Sequence, residues 1–174
     1  GGMSDLAAGI LRATDETLFV QDPLRALRAM QLLARKAKVV DPSTMNLIKG
    51  MVGSFPHLAK ERVHEEFRKL LLKSDTPSVG LEFLRDSGWI VHFPELQDLI
   101  GCEQHPEWHP EGDVWVHSLH TVDSAAWVRD NADLPSEWVE PFMFGTLCHD
   151  VGKPSTTVTP QMVSEDLFPK ERLF

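Results

Sequence analysis

The stretch Gln21-Asp22-Pro23-Leu24-Arg25-Ala26-Leu27-Arg28 reads as the opening of a helix. Asp22 suits the N-cap, where a carboxylate accepts from the orphan amides of a first turn, and Pro23 suits the first helical position, which needs no N–H. Helical periodicity then sorts the residues beyond it. Leu27, Met30, Ala34 and Ala37 fall to one side, and Asp22, Arg25, Arg28 and Arg35 to another. One face can pack while the other stays free for chemistry.

A carboxylate one turn from a guanidinium can read the Watson–Crick edge of a nucleobase. Adenine and cytosine each present an amino donor beside a ring-nitrogen acceptor; guanine and uracil present the reverse order. Asp22 accepting from the amino group while Arg25 donates to the ring nitrogen would accommodate A and C and reject G and U. The same two residues also read as an N-cap Asp paired with an intrahelical Arg, which requires no ligand.

The cap-plus-proline signal recurs along the chain and predicts an all-α protein. Asp41-Pro42 opens a helix with Met45, Leu47, Ile48 and Met51 as its apolar positions, broken by Gly53-Ser54-Phe55-Pro56. A helix near 59–73 places Val63, Phe67, Leu70 and Leu71 inward and offers Arg62–Glu66 and Glu65–Lys69 as outward pairs. Thr76-Pro77 to Asp86 is another, with Leu81 and Leu84 inward, Gly88 beyond its end, and Ser74, Asp75 and Thr76 all candidates for its cap. Pro94 to Ile100 predicts a short helix. A loop rich in His and Pro, from Gly101 to Gly112, precedes a helix from about Asp113 to Asp130. A further helix carries Trp138, Phe142, Met143 and Leu147. Trp115 and Trp127 read as core residues.

The chain carries a formal net charge of −9, which on its face argues against a nucleic-acid partner, but the charge is unevenly spread. Residues 1–73 hold 12 Lys and Arg against 8 Asp and Glu, whereas residues 74–174 hold 5 against 18. The first part can meet phosphates, and the second is better suited to metal or water. Cys102 and Cys148 are too few for a disulfide framework, which fits a reducing cytosol. No apolar run approaches the ~20 residues of a membrane span, and the N-terminus has no signal-peptide shape, so a cytoplasmic protein without a membrane partner is expected.

Three segments in order resemble motifs of the tRNA nucleotidyltransferases, the CCA-adding enzymes, and of their bacterial poly(A) polymerase relatives. Gln21 to Arg25 resembles the nucleobase-reading Glu-Asp-x-x-Arg motif, with Gln21 standing where most members have Glu. Gly1-Gly2-Met3-Ser4-Asp5-Leu6 through Leu11-Arg12 is similar to the end of the Gly-rich linker between the catalytic head and the neck. Glu61-Arg62-Val63-His64-Glu65-Glu66 resembles the neck motif Glu-Arg-x-x-x-Glu. The resemblance implies that Asp22 and Arg25 select CTP and ATP, that Arg28 supports that site or meets a phosphate, and that Gln21, Glu61, Arg62 and Glu65 brace the base-reading helix.

There is a second constellation. His117 lies in the helix after the loop, and His149-Asp150 comes 32 residues later, with Val151-Gly152-Lys153-Pro154 directly after it. This resembles the HD superfamily of metal-dependent phosphohydrolases. The run Trp108-His109-Pro110-Glu111-Gly112-Asp113 resembles the approach to that domain in the nucleotidyltransferases. Imidazole and carboxylate ligands suit divalent metals, and a bound metal lowers the pKa of water enough for attack on phosphorus. The resemblance implies His117, His149 and Asp150 as metal ligands for Mg²⁺, Mn²⁺, Ni²⁺ or Co²⁺, with Asp166 as the candidate closing ligand. A capped helix end with a satisfied histidine is the alternative for His149. His120 reads as packing, and His105 and His109 as a weak metal signal.

The expected organisation is therefore the end of a linker over 1–20, a helical neck and body for nucleobase and tRNA binding over 21–100, and a partial HD-type domain over 101–174. The Gly-Ser motif followed by an Asp-x-Asp pair that holds Mg²⁺ for nucleotidyl transfer in the resembled family does not occur, so the expected function is that of a fragment supplying base recognition and tRNA binding to an enzyme that adds CMP and AMP to tRNA 3′ ends. Two other classes stay open: an HD phosphohydrolase acting on nucleotides or cyclic phosphates, and a noncatalytic RNA- or nucleotide-binding helical module.

Overall fold

A computed structural model describes residues 2–157. Helix α1 (Gly2–Ala8) leads into a two-residue strand, β1 (Ile10–Leu11), and a one-turn helix, α2 (Glu16–Phe19). Helix α3 (Leu24–Arg35) is followed by β2 (Val39–Val40), which pairs in parallel with β1 through Ile10↔Val39 and Leu11↔Val40. Helix α4 (Pro42–Gly50), a 3-10 turn (Val52–His57), α5 (Lys60–Lys73) and α6 (Pro77–Asp86) complete the first part. A second 3-10 turn (Trp89–His92) and α7 (Pro94–Gln97) lead to α8 (Val114–Asn131), α9 (Ser136–Cys148) and α10 (Lys153–Thr156). The fold is all-α apart from the small strand pair, which periodicity does not predict because two residues carry no period.

The opening of α3 differs from expectation by one residue. Pro23 is itself the N-cap and Leu24 the first helical residue; the Asp22 carboxylate still accepts from the Leu24 amide at 3.2 Å. Leu24, Ala26, Leu27, Ala29, Met30, Gln31 and Ala34 are buried. Ala37 lies past the end of the helix and does not extend its apolar face. Asp41 caps α4 as expected, its carboxylate accepting from the Ser43 and Thr44 amides.

Helix α3 packs against α5 and α6, α6 against α8, and α8 and α5 against α9. Close approach is enforced at Gly80 in α6, where an added Cβ would stand 2.5 Å from Leu70 Cδ1 and 3.1 Å from the Met30 carbonyl oxygen. The buried apolar residues form one cluster from Leu24 to Leu147, continuous across the turn at Gly101. Trp115 is buried within it, but Trp127 is exposed. Ala125 and Ala126 take the inward positions of that turn of α8, and a helical step beyond them points outward.

Polar ties fix the two parts to each other. Of the three candidates Thr76 is the N-cap residue of α6, but its side chain makes no capping bond; instead Asp123 of α8 accepts from the Ser78 amide at 2.9 Å and its hydroxyl at 2.6 Å. A carboxylate there also favours the positive end of the helix dipole. At the other end of α5, the Arg129 guanidinium donates to the Leu71 and Ser74 carbonyls, whose helix has run out of amides to offer them. Arg68 of α5 donates to Glu140 of α9 at 2.7 Å.

Candidate functional site

The start of α3 is held by α5. Arg62 Nη2 donates to Asp22 Oδ2 at 3.3 Å across 40 residues of sequence, while the other carboxylate oxygen is bound to the Leu24 amide. Arg25 does not touch Asp22 through its side chain. Its Nη1 donates to the Leu18 carbonyl, and its guanidinium lies 6.0 Å from the centroid of the Phe19 ring. Two candidate base-reading groups therefore flank the same helix start, each secured from a different element. Gln21 is exposed beside them.

Arg28 is exposed, with Nε 3.8 Å from Glu66 Oε1. Spacing along α5 predicts Glu66 facing outward as the partner of Arg62; instead it is 2 % exposed, with Lys69 Nζ 3.1 Å from the same oxygen and Oε2 left without a hydrogen bond. Glu65 reaches only Arg68 and Lys69 of its own helix, both at 3.9 Å, and Glu61 is exposed. Of the acids in this segment, Glu66 is thus the one that faces α3. The sequence holds a signal for it: Glu66 sits one turn before Leu70, on the stripe that Val63, Phe67 and Leu70 define.

The second constellation gathers where α8 meets the end of α9. His149 Nε2 lies 3.3 Å from His117 Nε2 and 3.3 Å from Asp150 Oδ2, and His117 Nε2 lies 3.7 Å from that oxygen. The outer bonds set the tautomers. His149 Nδ1 is 2.7 Å from the Thr146 carbonyl and His117 Nδ1 is 2.7 Å from Glu111 Oε1; neither oxygen can donate, so each Nδ1 carries the hydrogen. In the neutral rings both Nε2 atoms then present lone pairs to each other and to a carboxylate oxygen. Asp150 Oδ2 is buried without a hydrogen bond, and its nearest cation is Lys153 Nζ in an ion pair at 2.8 Å.

Three electron-pair donors converging in this way fit a cation. Around a tetrahedral ion with bonds of ~2.0–2.1 Å, neighbouring donors stand ~3.3–3.4 Å apart, close to the separations here. These three residues form one of two metal-capable groups among the described residues; the other is His109, Glu111 and His117. His120 is exposed and belongs to neither, and His105 is exposed in the loop. Asp166 lies outside the described residues.

Glu111 is a residue that the sequence pattern does not single out, although it stands between two candidate histidines. Its carboxyl is held well down, at about 2, first by its own backbone amide and then by hydrogen bonds from His109 and His117. Burial pushes Cys148, at the end of α9, the other way, with the Glu95 carboxylate adding to the rise. No helix among the described residues is long and apolar enough to cross a membrane.

Residues 39–100, which span β2 to the turn after α7, match the family model described as the probable RNA and SrmB-binding site of polymerase A. The chain is 40% identical over 158 residues to the Multifunctional CCA protein of Laribacter hongkongensis, covering 89% of this chain and 36% of that protein. It is 38% identical over 159 residues to the Multifunctional CCA protein of Vibrio cholerae, covering 88% of this chain and 37% of that protein. The chain thus spans little more than a third of the length of these relatives.

Proposed function

We propose that this chain, which belongs to the tRNA nucleotidyltransferase and poly(A) polymerase family, supplies nucleobase selection and tRNA contact for the addition of CMP and AMP to tRNA 3′ ends. The observation that carries this reading is the Asp22–Arg62 bond, which fixes a carboxylate at the start of α3 from a helix 40 residues away. An acid serving only as a cap has no need of such a partner. Asp22 accepts from the amino group of cytosine or adenine, and Arg25, leaving the Leu18 carbonyl, donates to the ring nitrogen. Arg28 stands one turn further along the same helix, exposed and able to meet a phosphate. Gln21 brings an amide where a carboxylate would hold Arg25 more strongly; the Leu18 carbonyl supplies a substitute acceptor. In this reading Mg²⁺ belongs to the transfer step and the cytoplasm is the place of work.

Equilibrium titration of the chain with CTP, ATP, GTP and UTP tests this. CTP and ATP are expected to bind more tightly than GTP and UTP, and Asp22→Ala to remove the difference. Unchanged discrimination in the variant overturns the assignment.

A second activity is favoured by the convergent lone pairs of His117, His149 and Asp150. They make an HD-type site for Mg²⁺, Mn²⁺, Ni²⁺ or Co²⁺, which when bound supplies Lewis acidity for hydrolysis of nucleotide or cyclic phosphate esters. His117 and His149 hold their Nε2 lone pairs inward through bonds to Glu111 and Thr146, and Lys153 balances the Asp150 charge. Metal-stimulated phosphatase activity that His149→Ala abolishes supports it; activity surviving in that variant excludes it.

A further inference from the structure

We propose that Glu111 is the positioning residue of the His117–His149–Asp150 site, setting the tautomer of His117 so that its Nε2 is available to a divalent cation. The inference rests on the reading of those three residues as a metal site. Glu111 Oε1 is 2.7 Å from His117 Nδ1 and 3.0 Å from His109 Nδ1. A single carboxylate oxygen thus accepts two N–H donors, and the acceptor-only character of a carboxylate leaves one choice for the hydrogen on each ring.

The rings also brace each other: His109 and His117 meet edge to face at a centroid distance of 4.9 Å, with an interplanar angle of 82°. His117 cannot rotate about its ring axis without losing both its charged acceptor and this contact. Outer carboxylates of this kind typically raise the basicity of a ligating imidazole and fix its direction.

The backbone places Glu111 with little freedom. Asp113, two residues on, accepts from the Gly101 amide at 2.7 Å and from the Val116 amide at 2.9 Å, closing the loop onto the start of α8. Between them Gly112 takes φ +127°, a conformation that L side chains rarely adopt. The turn therefore delivers the carboxylate beside the first turn of α8, where His117 emerges.

Glu111 belongs also to the second metal-capable group, with His109 and His117, but its contact with His117 is at hydrogen-bond length, shorter than the spacing of donors sharing an ion. It orients a ligand and does not supply one.

The test uses the full chain, with Co²⁺ alone as the probe, calorimetry for affinity and stoichiometry, and ¹⁵N NMR of the metal-free imidazoles for tautomers. The expected result is one Co²⁺ per chain, His117 in the Nδ1–H form, and an affinity ~10–100-fold weaker in Glu111→Gln, with Glu107→Gln in the same loop unchanged. Equal affinity in wild type and Glu111→Gln, or His117 in the Nε2–H form before metal is added, overturns the role of Glu111 while leaving the metal site standing. Two ions per chain would make Glu111 a ligand and likewise overturn it. Failure of the wild type to bind Co²⁺ overturns the metal-site reading itself. The NMR arm needs no variant and decides the tautomer even if Glu111→Gln does not fold.

Discussion

The start of α3 and the cluster at the end of α9 handle charge in opposite ways. Around α3 opposite charges are paired: Asp22 with Arg62, and Arg28 and Lys69 with Glu66. At the cluster, His117, His149 and Asp150 turn lone pairs toward one another. The first arrangement positions groups that are already neutralised, so a ligand must compete by shape and hydrogen-bond order. In the second, Lys153 offsets the Asp150 charge, but the two Nε2 lone pairs face each other with no donor between them, an arrangement that suits a cation. Selection among nucleotides and affinity for a metal ion are the respective uses proposed for them.

The largest expected effect is at the cluster. Removing a converging donor, as in His149→Ala or Asp150→Ala, should weaken Co²⁺ binding by more than ~100-fold, beyond the loss expected from disturbing an outer partner. A titration with no change would mean that the convergence is incidental. Next comes Glu66, the buried member of the paired region. Glu66→Ala should cost about 2 kcal/mol in chemical denaturation, below the usual penalty for breaking a buried pair because Arg28 and Lys69 remain hydrated. A loss under a few tenths would show that solvent screens the whole group.

Arg62→Ala should cost only ~0.2–1 kcal/mol of stability, as an exposed pair does, while reducing discrimination between CTP and GTP. Lost stability without lost discrimination would return Asp22 to the role of a cap. The smallest effect is a pH dependence. The Glu111 carboxyl is depressed from 4.5 to about 2, so it contributes stability above its unfolded value that is lost as pH falls through the folded one. Thermal unfolding monitored from pH 5 to pH 2 should show an acid limb that is shallower in Glu111→Gln.

Much of this is legible in the sequence. The periods of α5, α6 and α8, the Asp113 cap of α8 and the Gly88 stop place these helices to within a residue or two, because the apolar period and the breakers around it are local. The resemblance to the HD superfamily marks His117, His149 and Asp150, and they meet because α8 packs on α9. Relations between helices are not legible. Periodicity sets Glu66 on the inward stripe but does not say which groups of α3 and α5 meet its carboxylate, nor that Arg62 reaches back to Asp22. Thr76 holds the N-cap position of α6, but the carboxylate that accepts from its first turn comes from α8, 45 residues away, and no local reading finds it. Glu111 escapes notice because its partners lie in and beside a loop without period. Trp127 reads as core by composition, yet its helical phase points it out.

Hydrogen–deuterium exchange of the chain with each nucleotide in turn tests the central claim most directly, since it reports both where a nucleotide binds and which one. CTP and ATP should slow exchange over residues 18–28, where Leu18, Asp22, Arg25 and Arg28 lie, and GTP should not. Equal protection by all four nucleotides, or protection confined to the His117–Asp150 cluster, would contradict base reading at the start of α3.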